Sequence, residues 1–492
     1  MNSSVLSPAG TLIENEELCT VGSDHALVTW VTPKIKTDTS VYFGEEKTNL
    51  TRLVFGKESE FHRAEIKNLK PSTLYWYRVA SGGARGPLNS FRTLPVPGGK
   101  FLFSFALFSD THLSLKDGVR DPNEIFFGKL SEHSGELLRQ AIFDGWERGV
   151  DLAVFAGDLT DSASRLQYVY FRDRILPLFG GTPCFLCAGN HDKYVARSGG
   201  GLGEKGFLEY AAGRSKTYAA PVHGEHLFLL LDSCREDRDR GFLDAAQLGW
   251  AVETLRKNAG RPAFLFLHHP CNGPDVWFGL KNFRSFQRAL RGIPGLRGVF
   301  CGHMHRCLVT TGRLAAPDLP FVELPATVQF PCAYAVVRVY EEGWAYNVYK
   351  VSRLDLSEKS RGRVIFKSPG GALYTRYAFG GAGDRSLSWF RGSLHRPAEY
   401  ELSVTLEHAR AVALYEKAQS LAGASLTPAP GAGKTKVVLG RHATKELAAE
   451  AQQELGALAG GGKLLVAETG GGGTPGEVRR SFEAYLKRRE NP

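Results

Sequence analysis

The chain has 492 residues, 43% of them hydrophobic and 23% charged, which fits several packed domains and excludes a largely disordered protein. A net charge of +10 leans toward anionic partners, yet the basic residues are scattered until a C-terminal cluster of Arg479, Arg480, Lys487, Arg488 and Arg489. No apolar run reaches the roughly eighteen residues of a transmembrane helix, and residues 1–17 lack a basic region followed by an apolar run, so a cytoplasmic location is expected. Of the eight cysteines, Cys184 and Cys187 have CxxC spacing. They lie in the apolar run Pro183–Ala188, which reads as a buried strand, so they are expected to be core residues.

Residues 1–95 read as all-β. Ala26–Val31 and Ser40–Phe43 alternate and are rich in β-branched and aromatic side chains. Leu69–Val79 is similar to the tyrosine-corner turn and following strand of fibronectin type III domains, with Tyr75 at the corner. That resemblance implies an N-terminal sandwich, and Pro95–Gly99 reads as a linker after it. Between residues 100 and 353 the pattern changes to short apolar runs alternating with helical stretches. The runs are Phe101–Phe108, Leu152–Ala156, Cys184–Ala188, Leu227–Leu231, Ala263–Leu267 and Val299–Cys301, and helical periodicity covers Glu136–Glu147 and Ala245–Lys257. Strands apolar on both faces between helices predict an α/β domain. Residues 354–398 read as an irregular linker. Residues 399–468 predict a small α+β domain, with strands at Tyr400–Leu406, Lys436–Leu439 and Lys463–Ala467 and helices at His408–Leu421 and Thr444–Leu458. Residues 469–492 read as a Gly-rich linker and a basic helical tail.

Five polar motifs each follow an apolar run of the α/β part: Asp110-Thr-His112, Gly157-Asp158-Leu-Thr-Asp161, Gly189-Asn190-His191-Asp192, His268-His269-Pro270 and Gly302-His303-Met-His305. The carboxyl ends of sheet strands are where α/β proteins place ligand sites. Carboxylates, an amide oxygen and several imidazoles together can hold two metal ions. Their mixed oxygen and nitrogen character suits manganese, iron or zinc.

The order of these motifs resembles the calcineurin-like metallophosphoesterase superfamily. The resemblance covers about residues 101–350, and Leu230–Ser233 and Gln247–Leu255 resemble the strand and helix that precede its HHP motif. It implies a four-layer αββα sandwich for residues 100–353. It also implies one metal on Asp110, His112, Asp158 and His305, and a second on Asp158, Asn190, His268 and His303. His191 corresponds to the catalytic histidine, oriented by Asp192, and Asp161 is supporting or structural. The implied reaction is hydrolysis of a phosphate ester by a hydroxide between the metals, with a phosphodiester favoured and a monoester allowed. Asn190 and Arg306 are candidate substrate contacts.

A fibronectin-like domain ahead of this core is the arrangement of purple acid phosphatases. The motifs differ, because Asp161 stands where that branch has its tyrosine ligand and His112 is present where it has none. The motifs are closer to cyclic-nucleotide phosphodiesterases. Residues 399–468, through Tyr400–Leu421, Val437–Arg441 and Lys445–Leu455, faintly resemble SPOR domains. That likeness implies contact with peptidoglycan and an envelope location, against a generic ferredoxin-like unit. Two alternatives stand beside the phosphodiesterase. A nuclease fits the positive charge but lacks an aromatic-basic stripe. A scaffold with a vestigial site conflicts with the complete ligand set.

Overall fold

The computed structural model describes residues 11–115, 127–273, 278–312, 314–367, 371–429, 433–459, 463–469 and 480. The tail read at 469–492, apart from Thr469 and Arg480, lies outside the described residues. Among the described residues, no helix is long and apolar enough to cross a membrane. Contacts divide the chain into two units: residues 1–96 with 381–387 and 395–472, and residues 97–380 with 388–394 and 473–492.

The second unit carries two sheets face to face. In the first, Cys184–Leu186, Leu152–Phe155 and Phe101–Phe108 run parallel, Phe101–Phe108 pairs antiparallel with Ala333–Tyr340, and Ala333–Tyr340 pairs antiparallel with Gly343–Lys350. In the second, His226–Leu230, Ala263–Phe266, Leu296–Cys301 and Pro320–Glu323 form a parallel core. Val222–His223 and Leu308–Thr311 are its antiparallel edges. Phenylalanines fill the space between the sheets. Phe105 of the first lies 5.3 Å from Phe228, 5.4 Å from Phe264 and 6.2 Å from Phe266 of the second, ring centre to ring centre. Helices cover the outer faces. Ser134–Glu147 buries Leu137, Leu138, Ala141 and Ile142, and Ala245–Lys257 and Phe283–Ala289 pack Ala251, Leu255 and Phe286 on the second sheet. Strands covered on both sides explain the unbroken apolar runs of the sequence.

Residues 354–398 read as a linker, but most of the described residues there lie in helices and strands, from Leu354–Lys367 to Ser393–His395. Helices Leu354–Lys367 and Gly371–Phe379 pack Val364, Tyr374, Tyr377 and Ala378 around Phe330, and Cys307 donates its backbone N–H to the Ala378 carbonyl at 2.9 Å. Leu354–Lys367 spreads its apolar residues among charges, and Gly371–Phe379 is only nine residues long, so neither shows a clear helical period.

In the first unit, Glu14–Val21, His25–Val31 and Phe61–Lys67 pack on a sheet of Asn49–Ser59, Thr37–Glu46, Leu74–Ser81 and Ala84–Arg85, with Asn89–Arg92 paired to Leu74–Ser81. Trp30, Val41, Ile66, Tyr75, Tyr77 and Phe91 are in its core. Lys70 donates its N–H to the Tyr75 hydroxyl at 3.0 Å, the contact a tyrosine corner requires. The C-terminal elements follow the order βαββαβ, with Ser425–Pro428 an extra strand that the sequence reading missed. Its pairing of Glu14 with Leu426 merges the C-terminal strands and the sandwich into one seven-stranded sheet.

Candidate metal centre

The motif residues sit where the parallel strands end, and their backbones are bent to converge. Asp110, His112, Asp158, His303 and His305 have φ of 52°, 39°, 52°, 70° and 51°. Side chains other than glycine seldom adopt these values, and such local strain concentrates at functional sites. Two glycines make the approach possible. A Cβ on Gly189 would lie 2.0 Å from the Asp158 backbone nitrogen, and one on Gly302 would lie 1.9 Å from Ser109 Oγ.

Ligand atoms of Asp110, His112, Asp158 and His305 fall within 4.8 Å of one another, as do those of Asp158, His268 and His303. Asp158 belongs to both groups. Its Oδ2 is 3.3 Å from His268 Nε2 and 3.5 Å from His112 Nε2, and its Oδ1 accepts the His191 N–H at 2.9 Å. Asp110 Oδ1 is 3.2 Å from His305 Nε2 and accepts the His303 N–H at 3.0 Å. Asn190 Oδ1 lies 3.0 Å from His268 Nε2.

The donor set fits a pair of cations. His112 Nε2 and His305 Nε2 face each other at 3.1 Å, and His268 Nε2 and His303 Nδ1 at 3.2 Å, all against buried carboxylates. Ring nitrogens aimed at one point beside carboxylate oxygens form a mixed nitrogen and oxygen coordination set. The outer nitrogen of His268 is committed elsewhere: Nδ1 donates to the Ala156 carbonyl at 2.9 Å, which fixes the tautomer with Nε2 inward. His269 is turned away, its Nδ1 2.9 Å from Ser233 Oγ and its Nε2 donating to the Asp239 carbonyl at 3.0 Å.

Charges in the cluster oppose burial. Burial would raise the Asp158 carboxyl, but His268 and His191 hold it well below the ordinary carboxylate range. Burial would lower His268, but Asp158 and Asp110 outweigh it and lift it to about 9. Burial takes His112 down to about 3, with Lys129 and His191 adding to the shift. Burial also opposes the charge of Asp161, yet Lys129 and His112 keep that carboxyl low. Lys129 is buried and ion-paired with Asp161, which lies 3.3 Å from His112 Nδ1. Sequence reasoning missed Lys129, which follows no motif.

His191 and Asp192 differ from expectation in how they are held. His191 Nδ1 donates to the Asp161 carbonyl at 2.6 Å, which leaves Nε2 as its other nitrogen, and its side chain is 19% exposed. Asp192 does not orient it. The Asp192 carboxylate accepts N–H bonds from Gly189, Leu159 and Thr160 and the Thr160 hydroxyl, at 2.8–3.0 Å, and so fastens the Gly189 loop to the Gly157 loop. Its position faces those backbone donors because the turn after Asn190 points it inward. Burial and Asp158 push it up to about 6. Arg306 is bound in a fork to Glu323, at 2.6 and 3.0 Å, and that pair engages the guanidinium proposed from sequence as a phosphate contact.

Residues 103–307 match the family model of the calcineurin-like phosphoesterases. This domain belongs to that family. Residues 17–93 match the N-terminal domain of purple acid phosphatases, so the phosphoesterase domain follows a sandwich of that type. The chain is 29% identical over 188 residues to a probable cyclic nucleotide phosphodiesterase of Synechococcus sp., a match that spans 37% of this chain and 66% of the relative. It is 28% identical over 204 residues to a probable cyclic nucleotide phosphodiesterase of Fibrobacter succinogenes, spanning 40% and 70% of the two chains. It is 24% identical over 213 residues to a probable glycerophosphodiester phosphodiesterase of Arcobacter nitrofigilis, spanning 41% and 71%. Among solved structures, a dimetal phosphatase from Danio rerio is 16% identical with a TM-score of 0.43, over 51% of this chain and 96% of that one.

Proposed function

We propose that the phosphoesterase domain hydrolyses phosphodiesters, and monoesters less readily, at a dinuclear metal centre. One metal is held by Asp110, His112, Asp158 and His305, the other by Asp158, Asn190, His268 and His303. The observation that carries this reading is the membership of Asp158 in both groups of converging donors. Manganese, iron and zinc suit the mixed nitrogen and oxygen set. When bound, such a pair supplies Lewis acidity to phosphoryl oxygens and lowers the pKa of water.

The remaining work belongs to side chains of this domain. His191, fixed through Nδ1 on the Asp161 carbonyl, offers Nε2 to protonate the leaving oxygen. Asp161, with its charge balanced by Lys129, keeps His112 and His191 in place. Asn190 is the substrate contact that remains, because Arg306 is taken by Glu323. The diester preference draws support from the relatives named as cyclic nucleotide and glycerophosphodiester phosphodiesterases.

Metal analysis after dialysis, with assays on bis-nitrophenyl and mono-nitrophenyl phosphate, tests the proposal. Metal-dependent hydrolysis, faster on the diester, is expected. No hydrolysis with manganese, iron, zinc or cobalt overturns it, and preferential cleavage of single- or double-stranded DNA replaces it with the nuclease reading.

A further inference from the structure

An asparagine is an ambiguous metal ligand. Its amide offers an oxygen on one side and an NH2 group on the other, and only the oxygen can bind a cation. Something must decide which side faces the centre. In this structure Asn190 Oδ1 faces His268, and Nδ2 donates to the Tyr194 hydroxyl at 2.9 Å and to Asp239 Oδ1 at 3.4 Å. Tyr194 donates its own proton to the same carboxylate oxygen at 2.7 Å. With that proton committed, the phenol oxygen is left as an acceptor toward Asn190, and the carboxylate is an acceptor too. A flipped amide would set its carbonyl against both.

Asp239 is itself held firmly. Arg197 Nη1 lies 2.6 Å from Asp239 Oδ1, and the Arg197 guanidinium sits over the Tyr194 ring at 5.0 Å. The Asp239 carbonyl accepts the His269 Nε2–H. Two residues earlier, Asp237 accepts the N–H groups of Val195, Ala196 and Arg197 at 2.9, 3.1 and 3.1 Å, and so ties the segment after the Gly189 motif to this loop. A Cβ on Gly241 would lie 2.5 Å from His269 Cγ, so the loop also lies close against the HHP motif.

We propose that Asp239 is a positioning residue of the metal centre: directly and through Tyr194, it holds the Asn190 amide with Oδ1 turned toward His268, completing the Asp158, His268 and His303 set. This rests on the dinuclear reading above. Asp239→Asn keeps the size of the side chain but adds a donor, which removes the penalty on the flipped amide. Tyr194→Phe removes one of the two acceptors and leaves Asp239 in place.

The test titrates metal-stripped full-length protein with Mn2+, measuring bound metal by equilibrium dialysis and the spin coupling of the pair by EPR. Wild type is expected to bind two ions and give an exchange-coupled spectrum. Asp239→Asn is expected to keep the first ion and to bind the second about 10- to 100-fold more weakly, with an isolated-ion spectrum at intermediate Mn2+. Tyr194→Phe is expected to fall between them. Thermal melting of the metal-free proteins accompanies the titration, and a weakened second site in a variant that melts with wild type supports the proposal. Variants that bind two coupled ions as wild type does overturn the role of Asp239. Wild type binding fewer than two ions overturns the dinuclear reading and this proposal with it.

Discussion

Asp158 lends one carboxylate to two clusters, so its loss is felt twice. Asp158→Ala removes an oxygen from both donor groups and also frees the His191 N–H that Oδ1 accepts. Metal analysis of the dialysed variant is expected to find neither ion, and full retention of one would show the two sets to be independent. His191 makes the opposite case. It is partly exposed, and its Nδ1 is anchored on a backbone carbonyl outside the ligand set. His191→Ala is therefore expected to keep its metal content while turnover on a diester falls by about 10²- to 10⁴-fold, the usual contribution of a general acid. Unchanged turnover in the metal-replete variant would remove His191 from the reaction.

At the scale of the element, the site depends on how closely the loops after the strands approach one another. Gly189 follows the strand Cys184–Leu186, and any Cβ there would meet the Asp158 backbone nitrogen and Oδ1 at 2.0 Å. Gly189→Ala is expected to push the Gly157 and Gly189 loops apart and to abolish metal binding, read by dialysis and metal analysis. Normal metal content would show that the loops can part without harm. The strand-end motifs were legible in the sequence because buried parallel strands are apolar throughout, so each polar cluster stands out where a strand stops. The supporting groups were not. Lys129, Tyr194 and Asp239 reach the centre by chain folding, from segments where a lysine, a tyrosine or an aspartate is ordinary. Asp192 was misread because adjacency to His191 in sequence says nothing of direction; its carboxylate is consumed by backbone donors of another loop. The helices Leu354–Lys367 and Gly371–Phe379 have no clear signal in the sequence because the first mixes its apolar residues with charges and the second is only nine residues long.

On the scale of the whole chain, the unit that joins the first and last strands contains a buried carboxylate whose charge is costly. Glu16 on Glu14–Val21 is fully buried, and its Oε1 accepts from Asn89 Nδ2 at 2.5 Å while its Oε2 has no hydrogen-bond partner. Asn89 also accepts the Arg441 N–H at 2.7 Å, so the same group links the sandwich to the C-terminal strand Lys434–His442. Burial raises the Glu16 carboxyl from 4.5 to about 7; Arg441 and Asn89 pull it down and Glu399 pushes it further up. A carboxyl raised on folding binds its proton more tightly in the native state. Its stabilising contribution is complete below about pH 4.5 and is lost as the pH rises through about 7. Glu16→Gln keeps an oxygen for Asn89 and cannot ionise. At pH 8 it is expected to be more stable than wild type, by at most about 3 kcal/mol, and the advantage should shrink toward pH 5. Urea unfolding of both proteins across that range measures the difference. A gap that stays constant with pH would mean that Glu16 finds its negative charge compensated in the folded chain, with Arg441 as the compensating group.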